Sequence, residues 1–268
     1  MGGALIALAL SVGGLIASFF HLGRPERAWR TAAQWRTSWL SREVIALPVF
    51  MLLLARYAWV HAGEASPASI LMLVLFAAAF ALWICTAMIY AGIPFIREWS
   101  SPLTFINFVA QGMAAGFVLA SLWAAFAAPR WVPIYAPMAL CLIVAAFAVR
   151  MMVLARNRNL RPQTTVQSAI GIQAPKVRQV AMGAMGGTFN TREFFHGKTA
   201  QVMMGIKWTM MALGFALPLV LLLAGWGMAQ VLLVAAALLA IFLGQLAERW
   251  YFFAEANHPQ NHYYQSIA

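Results

Sequence analysis

Residues Ser69–Ile93 read SILMLVLFAAAFALWICTAMIYAGI and include no charged side chain. A helix needs about 20 apolar residues to cross about 30 Å of hydrocarbon, so this stretch predicts a membrane-spanning helix. Six further runs of similar length and character occur along the chain, at Gly3–Leu22, Leu40–Val60, Pro102–Ala127, Pro133–Ala155, Val202–Ala224 and Met228–Phe252. We therefore predict an all-α, polytopic transmembrane helix bundle of about seven spans.

The composition agrees with a lipid-facing protein and excludes most soluble classes. Of the 268 residues, 63% are hydrophobic and 9% are charged, whereas ordinary globular domains carry about 25% charged residues. The chain has no Asp, and its formal net charge is +11. In so apolar a chain a basic excess indicates membrane topology rather than nucleic-acid binding. No basic segment precedes the first apolar run, so we interpret that run as a retained helix and not as a signal peptide.

Cysteine and histidine usage limits the cofactors. Cys85 and Cys141 lie in apolar runs, and two thiols are too few for an iron–sulfur cluster, so both are expected to be buried small hydrophobic residues. None of the five histidines lies in the middle of a run, so we expect no haem. His258 and His262 have a helical metal-binding spacing, but Pro259 lies between them and no Cys or Asp accompanies them. We therefore expect no metal site.

Three connections between the apolar runs contain charged and aromatic residues that suggest a role beyond a simple turn. Gly23–Ser41 mixes Arg and Trp, which is typical of a short helix at the level of the lipid headgroups. Ile93–Ser101 is short and includes Arg97, Glu98 and Trp99. Arg156–Gln201 is long, basic and polar, and its second half contains a capping-box-like start at Asn190. We interpret this long loop as a docking surface, with disorder as the alternative.

The charges fall almost entirely on one side of the predicted bundle. If the seven spans alternate, all of the 18 Lys and Arg residues except Arg56 and Arg130 lie on one side. The positive-inside rule places this side in the cytoplasm. The C-terminus is then cytoplasmic and the N-terminus external.

Two ionisable residues mark the cytoplasmic edge of the first two spans. His21 ends the first apolar run, and Glu43 lies one turn into the second. A His near neutral pKa beside a carboxylate could exchange the protons that accompany quinone reduction or oxidation. The alternative is structural, with His21 capping its helix and Glu43 paired with Arg42 or Arg27. Spacing does not decide between the two.

The end of the seventh run poses a similar choice. Glu248 and Arg249, with Gln245 one turn earlier, lie at its cytoplasmic end. They either extend their charged groups to the membrane surface or line the same pocket as His21 and Glu43. A transporter is a further alternative that rests on the helix count alone. No internal repeat supports it.

Two segments resemble a known family. The run His21–Trp29, HLGRPERAW, and the run Ser38–Glu43, SWLSRE, are similar to the DmsC family, the membrane-anchor subunits of dimethyl sulfoxide reductase. The stretch Trp99–Gly116 and the aromatic end after Arg249 resemble the family as well. The resemblance implies one integral membrane domain over residues 1–268, with the docking loop at about 156–201. It also implies two partners, an iron–sulfur subunit and a molybdopterin catalytic subunit, and a quinone site without haem or an iron–sulfur cluster in this chain.

The resemblance carries site residues over to this sequence. His21, Gly23, Arg27 and Glu43 match positions in or beside the family's quinone site. Further candidates for the quinone pocket or for docking are Arg24, Trp29, Trp39, Ser41, Arg42, Arg97, Trp99, Gln245 and Arg249. Arg24 and Arg42 depart from the family pattern, so their roles are hypotheses.

The basic face and two motifs favour one branch of the family. Family members usually have eight spans, with one before the His-bearing helix, so the resemblance implies either a span ahead of Met1 or a protein with seven spans. The motifs at 188–195 and 248–255 are similar to the membrane subunits of cytoplasm-facing, sulfite-oxidising relatives. We therefore predict an inner-membrane anchor in a bacterium that couples sulfite oxidation to the reduction of ubiquinone or menaquinone. The alternative is an anchor that oxidises menaquinol for a reductase of dimethyl sulfoxide or another S- or N-oxide.

Overall fold

The computed structural model describes residues 2–20, 22–62, 69–161, 164–177, 180, 198–226 and 231–259. In these ranges the chain forms helices and no strand. Seven helical segments within them are long and apolar enough to cross a membrane. The predicted all-α bundle of about seven spans is therefore confirmed.

The spans begin and end within a few residues of the apolar runs. The α-helices are α1 (Gly2–Phe19), α2 (Trp39–Ala62), α3 (Ser69–Ala91), α4 (Pro102–Ala127), α5 (Val132–Arg158), α6 (Val166–Ile170), α7 (Ala200–Met211), α8 (Leu217–Trp226) and α9 (Val231–Ala254). The helix predicted between the first two spans exists as a 3₁₀ helix at Pro25–Gln34. The predicted helix start at Asn190 lies outside the described residues.

The sixth span differs from a simple helix. One turn of π-helix at Ala212–Ala216, here called the π-turn, separates α7 from α8 within one continuous span. Gly214 in this turn packs against Gly244 of α9, and a Cβ atom added at Gly244 would overlap backbone atoms of Leu213 and Gly214. Two backbones approach this closely only where side chains are absent. Apolar periodicity cannot reveal such a turn, because all its residues are apolar.

The chain divides into two compact units, Met1–Gly92 and Ile93–Ala268. In the first unit α2 packs along both α1 and α3, and the 3₁₀ helix contacts α2. In the second unit α4 pairs with α5, and α9 packs against α4, α7, α8 and the π-turn. Small residues such as Ala139 and Ala237 are fully buried at the core of this unit, which lets the helices approach closely.

Candidate functional site

Glu43 is held near the start of α2 by a neighbouring helix. It lies one turn after Trp39, where α2 begins. The Thr86 hydroxyl of α3 donates a hydrogen bond to Glu43 Oε1. This bond satisfies one carboxylate oxygen in a largely apolar setting.

A cavity of about 430 Å³ lies beside this carboxylate in the first unit. Residues of α1, α2, α3 and the 3₁₀ helix line it, and Glu43 is the only carboxylate among them. Phe19 and Leu22 also line the cavity. His21 falls between these two positions in the sequence but lies outside the described residues. The cavity is therefore a mostly apolar chamber with one acidic residue and three hydroxyl-bearing residues on its wall.

The proposed arginine partners of Glu43 are engaged elsewhere. Arg42 donates to the carbonyl oxygens of Trp35 and Arg36 at 3.0 and 2.9 Å, and its guanidinium lies 4.1 Å from the centre of the Trp39 ring. Arg27 pairs with Glu26 at 3.9 Å. Among the described residues Glu43 forms no ion pair, so the expectation that Arg42 or Arg27 neutralises it is wrong.

The other predicted residues of the first unit lie outside the cavity wall. Gly23, Arg24 and Trp29 are exposed, with Trp29 71% exposed. Ser41 is buried in the first turn of α2, and Trp39 lies close to Gly92. Of the predicted residues that the structure describes, Glu43 alone contacts the cavity. The quinone-binding roles of all these residues, Glu43 included, stay predictions.

In the second unit, Arg97 and Trp99 tie the loop before α4 to other helices. The Trp99 indole N–H donates to the carbonyl oxygen of Phe252 at 3.0 Å, and the two rings stack at 5.4 Å. Arg97 donates a hydrogen bond to the carbonyl oxygen of Arg161 at 3.1 Å. The carbonyl oxygen of Arg97 in turn accepts a hydrogen bond from Arg156 at 2.9 Å. These contacts give Arg97 and Trp99 a structural role in shaping this end of the unit.

A buried network of charges joins α4, α5 and α9. Arg150 and Glu248 are 0% and 1% exposed and lie 3.3 Å apart. Glu248 also pairs with Arg249 at 2.8 Å and accepts a hydrogen bond from Asn107 at 3.0 Å. The Arg249 guanidinium lies 3.7 Å from the centre of the Phe108 ring. Each of these ions therefore has an oppositely charged partner, so removal of one partner would leave a buried charge uncompensated.

Amide groups and a second carboxylate extend the network. Gln111 donates to Asn107 Oδ1 at 3.0 Å, and Gln245 donates to the Gln111 carbonyl oxygen at 2.9 Å. At the other end Arg150 pairs with Glu255 at 3.8 Å. Burial raises the pKa of the Glu255 carboxyl, although the Arg150 guanidinium opposes this shift. Polar contacts thus run from the end of α9 into the helix bundle.

The buried ion network tests the prediction for Glu248 and includes residues that were not predicted. Glu248 does not extend to the membrane surface, because its side chain is buried. Whether Gln245 and Arg249 share a pocket with Glu43 stays a prediction. Arg150, Asn107 and Gln111 were missed, since each lies in an apolar run and its partner comes from another part of the chain. The useful signal was a pair of opposite charges, Arg150 and Glu248, within two of the predicted spans.

The described residues include no cluster of three or more His, Cys, Asp or Glu side chains that could hold a metal ion. The chemistry available at the cavity of the first unit is that of a single carboxylate on a mostly apolar wall. In the second unit it is that of a buried ion network.

Comparison with known proteins shows the family of this chain. A family model described as DMSO reductase anchor subunit (DmsC) matches residues 1–254. The chain is 45% identical to the C subunit of sulfite dehydrogenase from Allochromatium vinosum, over 99% of this chain and 86% of that protein. No solved structure gives a significant match. The chain belongs to the DMSO reductase anchor subunit (DmsC) family and is a membrane anchor subunit of a molybdoenzyme complex.

Proposed function

We propose that the cavity beside Glu43 is a quinone site, through which the complex exchanges electrons with the quinone pool. The observation that carries this proposal is a carboxylate on the wall of a mostly apolar cavity near the end of a membrane span. A volume of about 430 Å³ lies in the range of small-molecule sites. Apolar walls suit an aromatic ring with an isoprenoid tail, and a single acidic group suits proton exchange.

Side chains of this protein would donate and accept the protons that accompany quinone reduction in this site. Bound quinone supplies the two-electron chemistry. Because Thr86 occupies Glu43 Oε1, Glu43 would take up or release a proton at Oε2. The hydrogen bond from Thr86 also fixes the orientation of the carboxylate, so that Oε2 keeps one position relative to the cavity. His21, two residues after the cavity residue Phe19, is our candidate for the second proton-exchanging group.

We further propose that the complex oxidises sulfite and reduces quinone. The 45% identity to the C subunit of a sulfite dehydrogenase supports this direction. Electrons would then pass from a molybdopterin catalytic subunit to an iron–sulfur subunit and on to the quinone beside Glu43. The basic face, including the docking loop at about 156–201, would bind the iron–sulfur subunit on the cytoplasmic side of a bacterial inner membrane.

The proposal is tested by Glu43→Gln in the assembled complex. The substitution keeps the shape and the bond from Thr86 but removes the proton-exchanging group. Loss of a positioned acid or base typically costs about 10²–10⁴-fold in rate, and we expect a loss in this range for sulfite-dependent quinone reduction. Reduction of a soluble electron acceptor by the partner subunits should stay unchanged. The same assay applies to His21→Gln.

Glu26→Gln is the matched control, because Glu26 is exposed and lies outside the cavity. It should leave quinone reduction at the wild-type rate. Wild-type quinone reduction in Glu43→Gln, with the complex fully assembled, would contradict the assignment of this cavity.

A further inference from the structure

The second unit contains a groove that the quinone proposal does not use. It has a volume of about 830 Å³ and lies between α5 and α7. One side is a single stripe of α7 at helical spacing, formed by Ala200, Met203, Met204, Lys207, Trp208 and Met211. We call this feature the α5–α7 groove. It exists because α5 packs against the π-turn and α8 instead of along α7.

The length of the groove corresponds to one leaflet of a bilayer. At 1.5 Å per residue, the stripe from Ala200 to Met211 is about 16 Å long. The hydrocarbon core is about 30 Å thick, so a single leaflet contributes about 15 Å. At the inner end, Phe147 of the groove rests on Phe215 of the π-turn at 5.5 Å between ring centres. The groove is therefore closed near mid-membrane and extends to the polar end of α7.

The walls of the groove suit flexible hydrocarbon chains. Met151 of α5 faces the three methionines of the α7 stripe across it. Methionine side chains are unbranched and adapt to irregular apolar partners. Met204 and Trp208 are 60% and 68% exposed, so a molecule in the groove would cover apolar surface. Tyr251 of α9 adds a phenol hydroxyl to the lining.

Lys207 is the only charged residue among those that line the groove. Side chains on a helix lean towards its N-terminus, so the Lys207 stem leans towards the polar end of α7, and its ammonium can reach the headgroup level. Glu255 interacts with Lys207, but its ion-pair partner is Arg150 at 3.8 Å. Arg156 and Arg158 at the end of α5 and Lys198 before α7 make this end of the unit basic.

We propose that the α5–α7 groove binds one anionic phospholipid, with its acyl chains along the methionines and its phosphate at Lys207. Length, lining and charge each support this occupant. A chamber one leaflet long fits acyl chains. Lys207, whose side chain leans towards the polar end of α7, offers a single cation to one phosphate. Bound lipid would fill the space between α5 and α7 and support α7 on that side.

The test compares two phospholipids on the purified complex in detergent. Phosphatidylglycerol and phosphatidylcholine are titrated separately, and retained lipid is counted by native mass spectrometry. We expect the complex to retain phosphatidylglycerol more tightly. Because a cation near a lipid surface contributes about 1 kcal/mol, Lys207→Gln should weaken phosphatidylglycerol binding about fivefold. Lys198→Gln, which removes a nearby charge outside the groove, should weaken binding clearly less than Lys207→Gln.

A second variant tests the apolar part of the site. Met204→Trp places a bulky ring in the groove at an exposed position, and it should reduce retention of both lipids. The proposal is overturned if both lipids bind equally to the wild type, or if Lys198→Gln weakens binding as much as Lys207→Gln. It is also overturned if a quinone analogue displaces phosphatidylglycerol, because the groove would then hold a quinone.

Discussion

At the scale of single residues, the buried charges of the second unit matter most for stability. Glu248 has two guanidinium partners, Arg150 and Arg249, and an amide donor from Asn107. Arg150 has two carboxylate partners, Glu248 and Glu255. Glu248 and Arg150 therefore do not contribute equally to the network. Loss of Glu248 leaves two cations without their shared anion, whereas loss of Arg150 leaves Glu248 still paired with Arg249.

We expect Glu248→Gln to destabilise the protein more than Arg150→Met. Removing one partner of a buried ion pair typically costs about 3–5 kcal/mol in the free energy of unfolding, and Glu248→Gln should fall in this range. Arg150→Met leaves Glu248 paired with Arg249, and the other carboxylate that loses a partner, Glu255, is 18% exposed, so its cost should be smaller. Thermal unfolding in detergent measures both. Glu26→Gln is the control, since exposed ion pairs contribute about 0–1 kcal/mol. Equal stability of Glu248→Gln and Glu26→Gln would show that the network is not stabilising.

At the scale of elements, the crossing of α9 with the π-turn sets the geometry of the second unit. Helix positions could be predicted from apolar length, and the runs at Pro102–Ala127 and Ser69–Ile93 agree closely with α4 and α3. The π-turn could not be predicted from the sequence, because it depends on contact between Gly214 and Gly244, which lie in different spans. Apolar runs report length, whereas a close backbone crossing depends on which residues meet in three dimensions.

Gly244→Ala tests this crossing. The added Cβ would overlap backbone atoms of Leu213 and Gly214, so α9 and the π-turn would have to separate. Overpacking of this kind typically costs about 1–3 kcal/mol in the free energy of unfolding. Gly116→Ala in α4 is the matched control, since a Cβ there meets nothing within 4 Å. Because Ala favours helix over Gly by about 1 kcal/mol, the control should be neutral or stabilising by thermal unfolding. A neutral Gly244→Ala would contradict the crossing described above.

At the scale of the whole molecule, the sequence predicts the architecture well and the candidate site in part. Glu43 could be chosen because a carboxylate one turn inside a span is costly without a role. Its hydrogen-bond partner Thr86 could not be chosen in the same way, since a lone Thr in the apolar run at Ser69–Ile93 does not indicate a functional site. The same holds for Arg150, which lies near the end of a run and looks in the sequence like part of the basic flank of the long loop. Partners distant in sequence come together only through helix packing, which the sequence does not show.

The charge distribution makes the orientation of the whole molecule testable. If the basic side is cytoplasmic, the turn between α4 and α5, which contains Arg130, is external, and the end of α9 is internal. Cysteines are placed at each point, as Ala128→Cys and Asn257→Cys, with Cys85 and Cys141 replaced by alanine. A membrane-impermeant maleimide should label Ala128→Cys in cells with an intact inner membrane, and Asn257→Cys only after that membrane is permeabilised. The opposite pattern would invert the topology, and the proposed cytoplasmic docking of the iron–sulfur subunit would then be wrong, whereas the cavity beside Glu43 would be unaffected.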